Sequence, residues 1–319
     1  MKIAAVFPGQ GSQSPGMLAD LAAEYSLIKQ TFDEASAALD YDLWDIAQNG
    51  SEEQQRETAI TQPLVFVGDI AVWRVWRELG YPQPVVMAGH SLGEYAALTA
   101  AEAIPFGRAV ELVQKRAQLM SEAVAPGIGG MAAVIGMDDE KLIELCQANS
   151  NAQGIVEAVN FNSPGQVVIS GHLAALEELC EHARQNGARK AMLLPVSVPN
   201  HSSLMRNAQA ELANKIESSG IQAPEIPVIQ NASASVPSSV ASLVDSLKKH
   251  VVSPVQWTNT VKRMAEYGVE AIVEMGPGKV LSGLSRRIDK SVAAYPTENK
   301  ALLEKAGAAL HKSGETHAE

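Results

Sequence analysis

Two stretches of opposite character meet between residues 84 and 102. Pro84-Val85-Val86-Met87-Ala88 is a short apolar run of strand character, and Glu94 to Glu102 is rich in Ala and Leu and reads as helix. The link between them, Gly89-His90-Ser91-Leu92-Gly93, must therefore turn the chain sharply at a serine. A serine at a tight strand-to-helix turn is the arrangement of a nucleophile elbow. Gly89 and Gly93 remove side chains where strand, turn and helix crowd together, which lets a strained Ser91 backbone fit. The helix that begins at Leu92 points free N–H groups at the space in front of the hydroxyl, where an oxyanion would form. The competing reading is a chance Gly-x-Ser-x-Gly in an Ala/Gly-rich loop.

The rest of the chain supplies a frame for such a turn. Strand-like and helix-like stretches alternate, the signature of an α/β fold with a parallel sheet, and the elbow makes the large domain α/β-hydrolase-like. Ile3 to Phe7 is the first strand and runs into the Gly-rich turn Pro8-Gly9-Gln10-Gly11-Ser12-Gln13. Helical stretches are expected at Met17 to Tyr25, Ile28 to Leu39, Leu64 to Leu79 (opened by Gln62-Pro63), Phe106 to Val124 and Leu204 to Ser218. Residues 127–198 have their own rhythm. Strands at Gly130 to Gly136, Ile155 to Asn160, Gln166 to Ser170 and Lys190 to Val198 enclose helices at Asp138 to Ala148 and Leu173 to Gln185. That β-α-β-β-α-β order is ferredoxin-like. The expected organisation is a discontinuous large domain, residues 1–126 and 199–319, carrying a small ferredoxin-like domain inserted at 127–198.

At 319 residues the chain can bury a substantial core. Its apolar runs are strand-sized and no signal-peptide pattern opens it, so a cytoplasmic location is the default and no membrane partner is expected. A formal charge of −11 argues against nucleic acid and against anionic membrane. Cys146 and Cys180, the only cysteines, sit in amphipathic helical patterns and read as buried thiols, outside any metal-ligand spacing. No metal is expected.

A serine hydroxyl near neutral pH needs a base. Of the seven histidines, His90 is a scaffold residue of the turn, His311 and His317 lie in a polar C-terminal tail expected to fray, and His172 and His182 belong to the small domain. His201 lies in a loop between a strand and a helix, from which an imidazole can reach across a cleft; a helix-capping or exposed role is the alternative. His250 follows Lys248-Lys249 at a helix end, a place that favours a cation for dipole reasons alone. Arg116 lies among small and apolar neighbours, and is either half of a structural salt bridge or a two-pronged grip on a substrate carboxylate. Gln10 either shapes its Gly-flanked loop or lends a backbone N–H to an oxyanion hole.

Taken together, these segments have an order of their own. Phe7-Pro8-Gly9-Gln10-Gly11-Ser12-Gln13, Gly89 to Tyr95, Arg116, Asn160 to Gln166, Val198-Pro199-Asn200-His201, Pro254-Val255-Gln256-Trp257 and Glu274 to Lys279 follow one another in a chain that resembles the acyltransferases loading fatty acid synthases. The likeness reaches to about residue 290 and is strongest to the free-standing bacterial malonyl transferases. It implies that Ser91 takes a malonyl group from malonyl-CoA as an ester and passes it to the phosphopantetheine thiol of acyl carrier protein. His201 would be base and then acid, the backbone N–H groups of Gln10 and Leu92 the oxyanion hole, and Arg116 the partner of the malonyl carboxylate. No cofactor is implied beyond the two substrates. In the family a backbone carbonyl orients the histidine, at a position usually glutamine and here His250. Asn160 and Asn162, in an Asn-Phe-Asn turn near the histidine, would be supporting residues. Asn200 replaces a commoner serine or phenylalanine beside the acyl pocket. Arg189, Lys190, Lys279, Arg286 and Arg287 are candidates for meeting an acidic carrier. A serine esterase or thioesterase, and a carrier-binding scaffold without activity, are the competing readings.

Overall fold

The computed structural model describes residues 1–151 and 154–315; His317 lies outside them. Nine strands are found among the described residues: β1 (Ile3–Phe7), β2 (Val86–Gly89), β3 (Gly129–Ile135), β4 (Val156–Ser163), β5 (Gln166–His172), β6 (Lys190–Leu193), β7 (Val228–Ile229), β8 (Ala271–Glu274) and β9 (Ala293–Pro296). They form two sheets. One is parallel throughout, in the order β7-β2-β1-β8-β9. The other is antiparallel, in the order β4-β5-β3-β6, with helices Asp139–Asn149 and Leu173–Gln185 as its two crossovers. The fold is thus α/β, with a parallel sheet and a separate small antiparallel one.

The parallel strands read as unbroken apolar runs because both faces are covered. Ile3, Ala5 and Phe7 of β1 join Met87, Val228, Ala271 and Val273 in the larger core, under helices Thr58–Glu78, Gly93–Ala100 and Phe106–Glu122. Ala4, Val6, Val86, Ala88, Ile229 and Ile272 point the other way, onto Trp257, Val261 and Met264 of helix Trp257–Glu266 and Leu281 and Leu284 of helix Val280–Ile288. In the small sheet, Ala132, Val134, Val167 and Ile169 pack under the two crossover helices. Its other face presents Met131, Val159 and Val168 together with Leu194 and Val196. A backbone stitch joins the two parts: Val255 N donates to Val159 O (2.7 Å) and Phe161 N to Val255 O (2.9 Å).

Several boundaries differ from those the sequence suggests, each for a local reason. The long helix starts at Thr58, so Pro63 lies inside it. As the sixth residue of that helix, Pro63 lies past the first turn and removes the N–H that would donate to the Ala59 carbonyl, a cost the packing of the helix offsets. β6 stops at Leu193 instead of running to Val198. Leu194 N still reaches Met131 O (2.9 Å), but Pro195 has no N–H to continue the ladder. Asn160 and Asn162 lie in β4 itself and not in a turn: one register shift falls just before Asn160, and a second, between Phe161 and Ser163, falls at Asn162. The C-terminal stretch is helical from Lys300 to Glu315, and the His311 ring packs on Tyr81 with centroids 5.5 Å apart, so the expected frayed tail is ordered that far.

Candidate active site

The carboxyl ends of the parallel strands converge on one cavity, the usual place for a site in a sheet of this kind. Gly9 and Gln10 follow β1, Ser91 follows β2, and the small sheet's Met131, Val168, Leu194 and Val196 roof the space, about 250 Å³ in volume. Gln10, Ser91, Leu92, Arg116, Asn160, Asn162, Asn200 and His201 all line it. His250 does not line it and lies behind His201.

Ser91 stands at φ 52°, in the left-handed region. For a residue with a Cβ this costs about 1–2 kcal/mol, which the close packing of the turn enforces. A methyl group on Gly89 would lie on the Gly93 carbonyl, and one on Gly93 would strike the Phe7 carbonyl. Strand, turn and helix approach so closely only because both positions are glycine. The turn thus lifts the Ser91 hydroxyl toward His201, whose Nε2 is 2.7 Å from Oγ. His201 is itself at φ 64°. Its Nδ1 faces two backbone carbonyls, His250 O (3.1 Å) and Ser253 O (3.0 Å). Carbonyls only accept, so Nδ1 carries the proton and Nε2 keeps a lone pair for the serine proton. Burial, with the Arg116 charge second, pushes the His201 pKa down to about 3, so the ring is neutral near pH 7. Among the described residues no carboxylate bonds to it.

Arg116 comes from the helix Phe106–Glu122 and is 1% exposed. Nη2 donates to Ser91 Oγ (3.3 Å), Nη1 donates to Gln62 Oε1, and the guanidinium lies 5.5 Å from the Tyr95 ring centroid. Nε has no partner, and no ion pair joins Arg116 to a carboxylate among the described residues. A buried cation held by an amide and a ring, with a donor aimed at the serine, can receive an anion. The backbone N–H groups of Gln10 and Leu92 donate to no protein acceptor among the described residues and border the same cavity. They can serve a developing oxyanion.

Of the asparagines, Asn162 Oδ1 accepts from His90 Nε2 (2.7 Å) and so steadies the turn; its bond is to His90, not His201. Asn160 Oδ1 and Asn200 Oδ1 are buried without partners. His250 offers its carbonyl to His201, while its ring packs edge-on against the His201 ring at 5.4 Å. Three further residues escaped the sequence reading. Gln62 holds Arg116. Asn231 accepts from Ser91 N (2.7 Å), and buried Glu94 accepts from Asn231 N (2.6 Å). Glu94 was visible as an acid in an apolar helix beside the turn, whereas nothing local to Gln62 or Asn231 marks them.

The five basic candidates for carrier docking differ in freedom. Arg287 donates to Gln166 Oε1 (2.6 Å), Arg286 to the Ala294 carbonyl, and Lys279 pairs with Glu298 (3.3 Å). Arg189 and Lys190 are exposed at the edge of the small sheet.

Comparison with known proteins matches the same ground. The acyl transferase domain family model covers residues 5–305. The malonyl CoA-acyl carrier protein transacylase of Salmonella typhimurium is 46% identical over 302 residues, spanning 95% of this chain and 97% of its own. That of Staphylococcus aureus (strain MW2) is 38% identical over 291 residues, spanning 91% and 94%. Among solved structures, FabD from Acinetobacter baumannii matches with a TM-score of 0.95 at 46% identity, over 98% of this chain and 99% of its own. The holo PlMCAT:AntF complex, a type II PKS acyl-carrier protein with its malonyl-transacylase, matches with a TM-score of 0.95 at 43% identity, over 97% and 100%.

Proposed function

The chain belongs to the acyl transferase family, and from that premise we propose that it moves malonyl groups from malonyl-CoA to acyl carrier protein by way of an ester on Ser91, supplying fatty acid synthesis. The observation that carries this reading is Arg116, a buried guanidinium with no carboxylate in ion-pair contact among the described residues, 3.3 Å from a serine oxygen already bonded to a histidine.

Each step follows from a named atom. Ser91 Oγ attacks the thioester carbonyl as His201 Nε2 takes its proton, and the oxyanion meets the N–H groups of Gln10 and Leu92. The carbon–sulfur bond breaks, and the proton on Nε2 passes to the leaving CoA sulfur. Transfer reverses the sequence. The carrier's thiol gives its proton to His201, its sulfur attacks the ester, and Ser91 Oγ recovers a proton as it leaves. The free malonyl carboxylate, two carbons from the ester oxygen's carbonyl, falls within reach of the guanidinium beside Oγ. Its charge would offset that of Arg116.

The reaction draws on no metal or cofactor beyond its two substrates. We place it in the cytoplasm: Cys146 and Cys180 are free buried thiols, and among the described residues no helix is long and apolar enough to cross a membrane. The test is intact-protein mass spectrometry after mixing with malonyl-CoA. The wild type should gain one malonyl group and Ser91→Ala none; an adduct that persists in Ser91→Ala overturns the nucleophile.

A further inference from the structure

We propose that Asn231 and Glu94 are positioning residues for Ser91, setting the backbone geometry from which it reacts; this rests on the assignment of Ser91 as nucleophile. Where β2 ends and the chain turns, Gly89 and Ser91 lose the neighbouring strand as a source of hydrogen bonds. The side chain of Asn231, just beyond β7, replaces it. Its Oδ1 accepts from Ser91 N (2.7 Å) and its Nδ2 donates to Gly89 O (2.7 Å). One carboxamide thus bridges the residues on both sides of His90 and occupies the Ser91 N–H. That leaves the amides of Leu92 and Gln10 as the donors facing the cavity.

A carboxamide can lie in either of two orientations, and only one works here. Glu94 selects it. Glu94 Oε2 accepts from Asn231 Nδ2 and also from Asn231 N (2.6 Å). In the flipped orientation, oxygen would face the Gly89 carbonyl and the Glu94 carboxylate, and NH2 would face the Ser91 N–H. Both residues are buried, Glu94 at 0% and Asn231 at 2% exposed, so water cannot substitute for either. Neither side chain touches the space where substrate binds. Their contribution is to hold the φ of 52° at Ser91, and with it the 2.7 Å contact to His201.

The role separates from space-filling through variants that keep shape and change hydrogen bonding. Asn231→Asp has the volume of asparagine but puts an acceptor against the Gly89 carbonyl and Glu94. Glu94→Gln keeps a carbonyl that can accept from Asn231, whereas Glu94→Ala does not. Burst release of CoA from malonyl-CoA measures acylation directly. Asn231→Asp, Asn231→Ala and Glu94→Ala should each acylate about 100-fold more slowly, with KM changed by no more than about threefold, since misplacing a reacting group acts on the chemical step. Glu94→Gln should regain roughly tenfold or more over Glu94→Ala. Thermal midpoints identify any variant that fails to fold, and the Glu94 pair then decides the matter. Acylation by Asn231→Asp at the wild-type rate, a defect confined to KM, or equal rates for Glu94→Gln and Glu94→Ala overturns the positioning role alone. Failure of the wild type to form a malonyl adduct overturns the reading beneath it.

Discussion

Arg116 brings its charge into the interior, where an unpaired ion loses several kcal/mol of solvation; an amide, the Ser91 hydroxyl and an aromatic face meet it, with Glu94 close enough to favour its charge but not bonded to it. On the proposed reading, the missing partner is the carboxylate of the acyl group. Each charge-assisted hydrogen bond lost is worth about 1.5–3 kcal/mol, or roughly ten- to a hundredfold. Arg116→Ala should therefore cut malonyl transfer by at least that factor in kcat/KM. Acetyl transfer should hold or rise, because removing the cation also relieves His201. Equal losses for both acyl groups, measured by profiling acyl-CoA donors, would defeat the assignment. Ser91 was legible from its flanking glycines, because the steric demand of the turn is local. The polarity of His201 was legible only through the family resemblance, which pointed to a carbonyl at His250, and not from the residues around it. Its two acceptors, His250 O and Ser253 O, lie some fifty residues downstream and are main-chain atoms, to which side-chain identity is nearly silent.

At the scale of elements, Glu274 shows how a motif residue acts through a helix. It ends β8, and its carboxylate accepts from Leu281 N (2.9 Å) and Ser282 N (2.7 Å), capping helix Val280–Ile288 from within the protein. Burial pushes its pKa up to about 7. Leu281 and Leu284 of that helix, and Val280 at its start, line the active-site cavity. Glu274→Ala leaves buried donors unmet and should lower unfolding free energy by about 1–3 kcal/mol, read from urea titrations. It should also raise KM for malonyl-CoA as the wall loosens; an unchanged urea midpoint would remove Glu274 from this role. Elements with strong periodicity or a glycine turn were legible: β1, β2, the helix after Ser91, and the β-α-β-β-α-β run. β7 was legible as the strand-like stretch from Pro227 to Asn231, whereas β9 was harder, being a short edge strand whose register is imposed by the strand beside it and not by its own residues.

At the scale of the whole molecule, the small antiparallel sheet has a core of its own. Leu176 and Leu179 pack against Val134, Val167 and Ile169, apart from the two cores that flank the parallel sheet. Residues 127–198 should accordingly open as a unit. Leu176→Ala creates a cavity costing about 2–5 kcal/mol, and hydrogen exchange should quicken across β3 to β6 while β1, β2 and β8 keep their protection. Uniform acceleration through both sheets would count against a separate unit. Activity should fall with it, since the opposite face of that sheet roofs the site.

The division between what sequence determines and what tertiary structure decides follows the reach of the forces. Glycine sterics, apolar periodicity and strand-to-helix alternation act over a few residues, and they suffice for the elbow, the α/β class and the β-α-β-β-α-β run of the small sheet. Charge pairing and hydrogen-bond direction act across space. Only the folded chain decided that Arg116 has no carboxylate within ion-pair distance among the described residues, that Ser253 O joins His250 O at the His201 ring, and that Asn231, about 140 residues from Ser91, accepts from the serine's backbone N–H. Those are contacts of burial, where water is absent and each polar atom must find its partner within the protein.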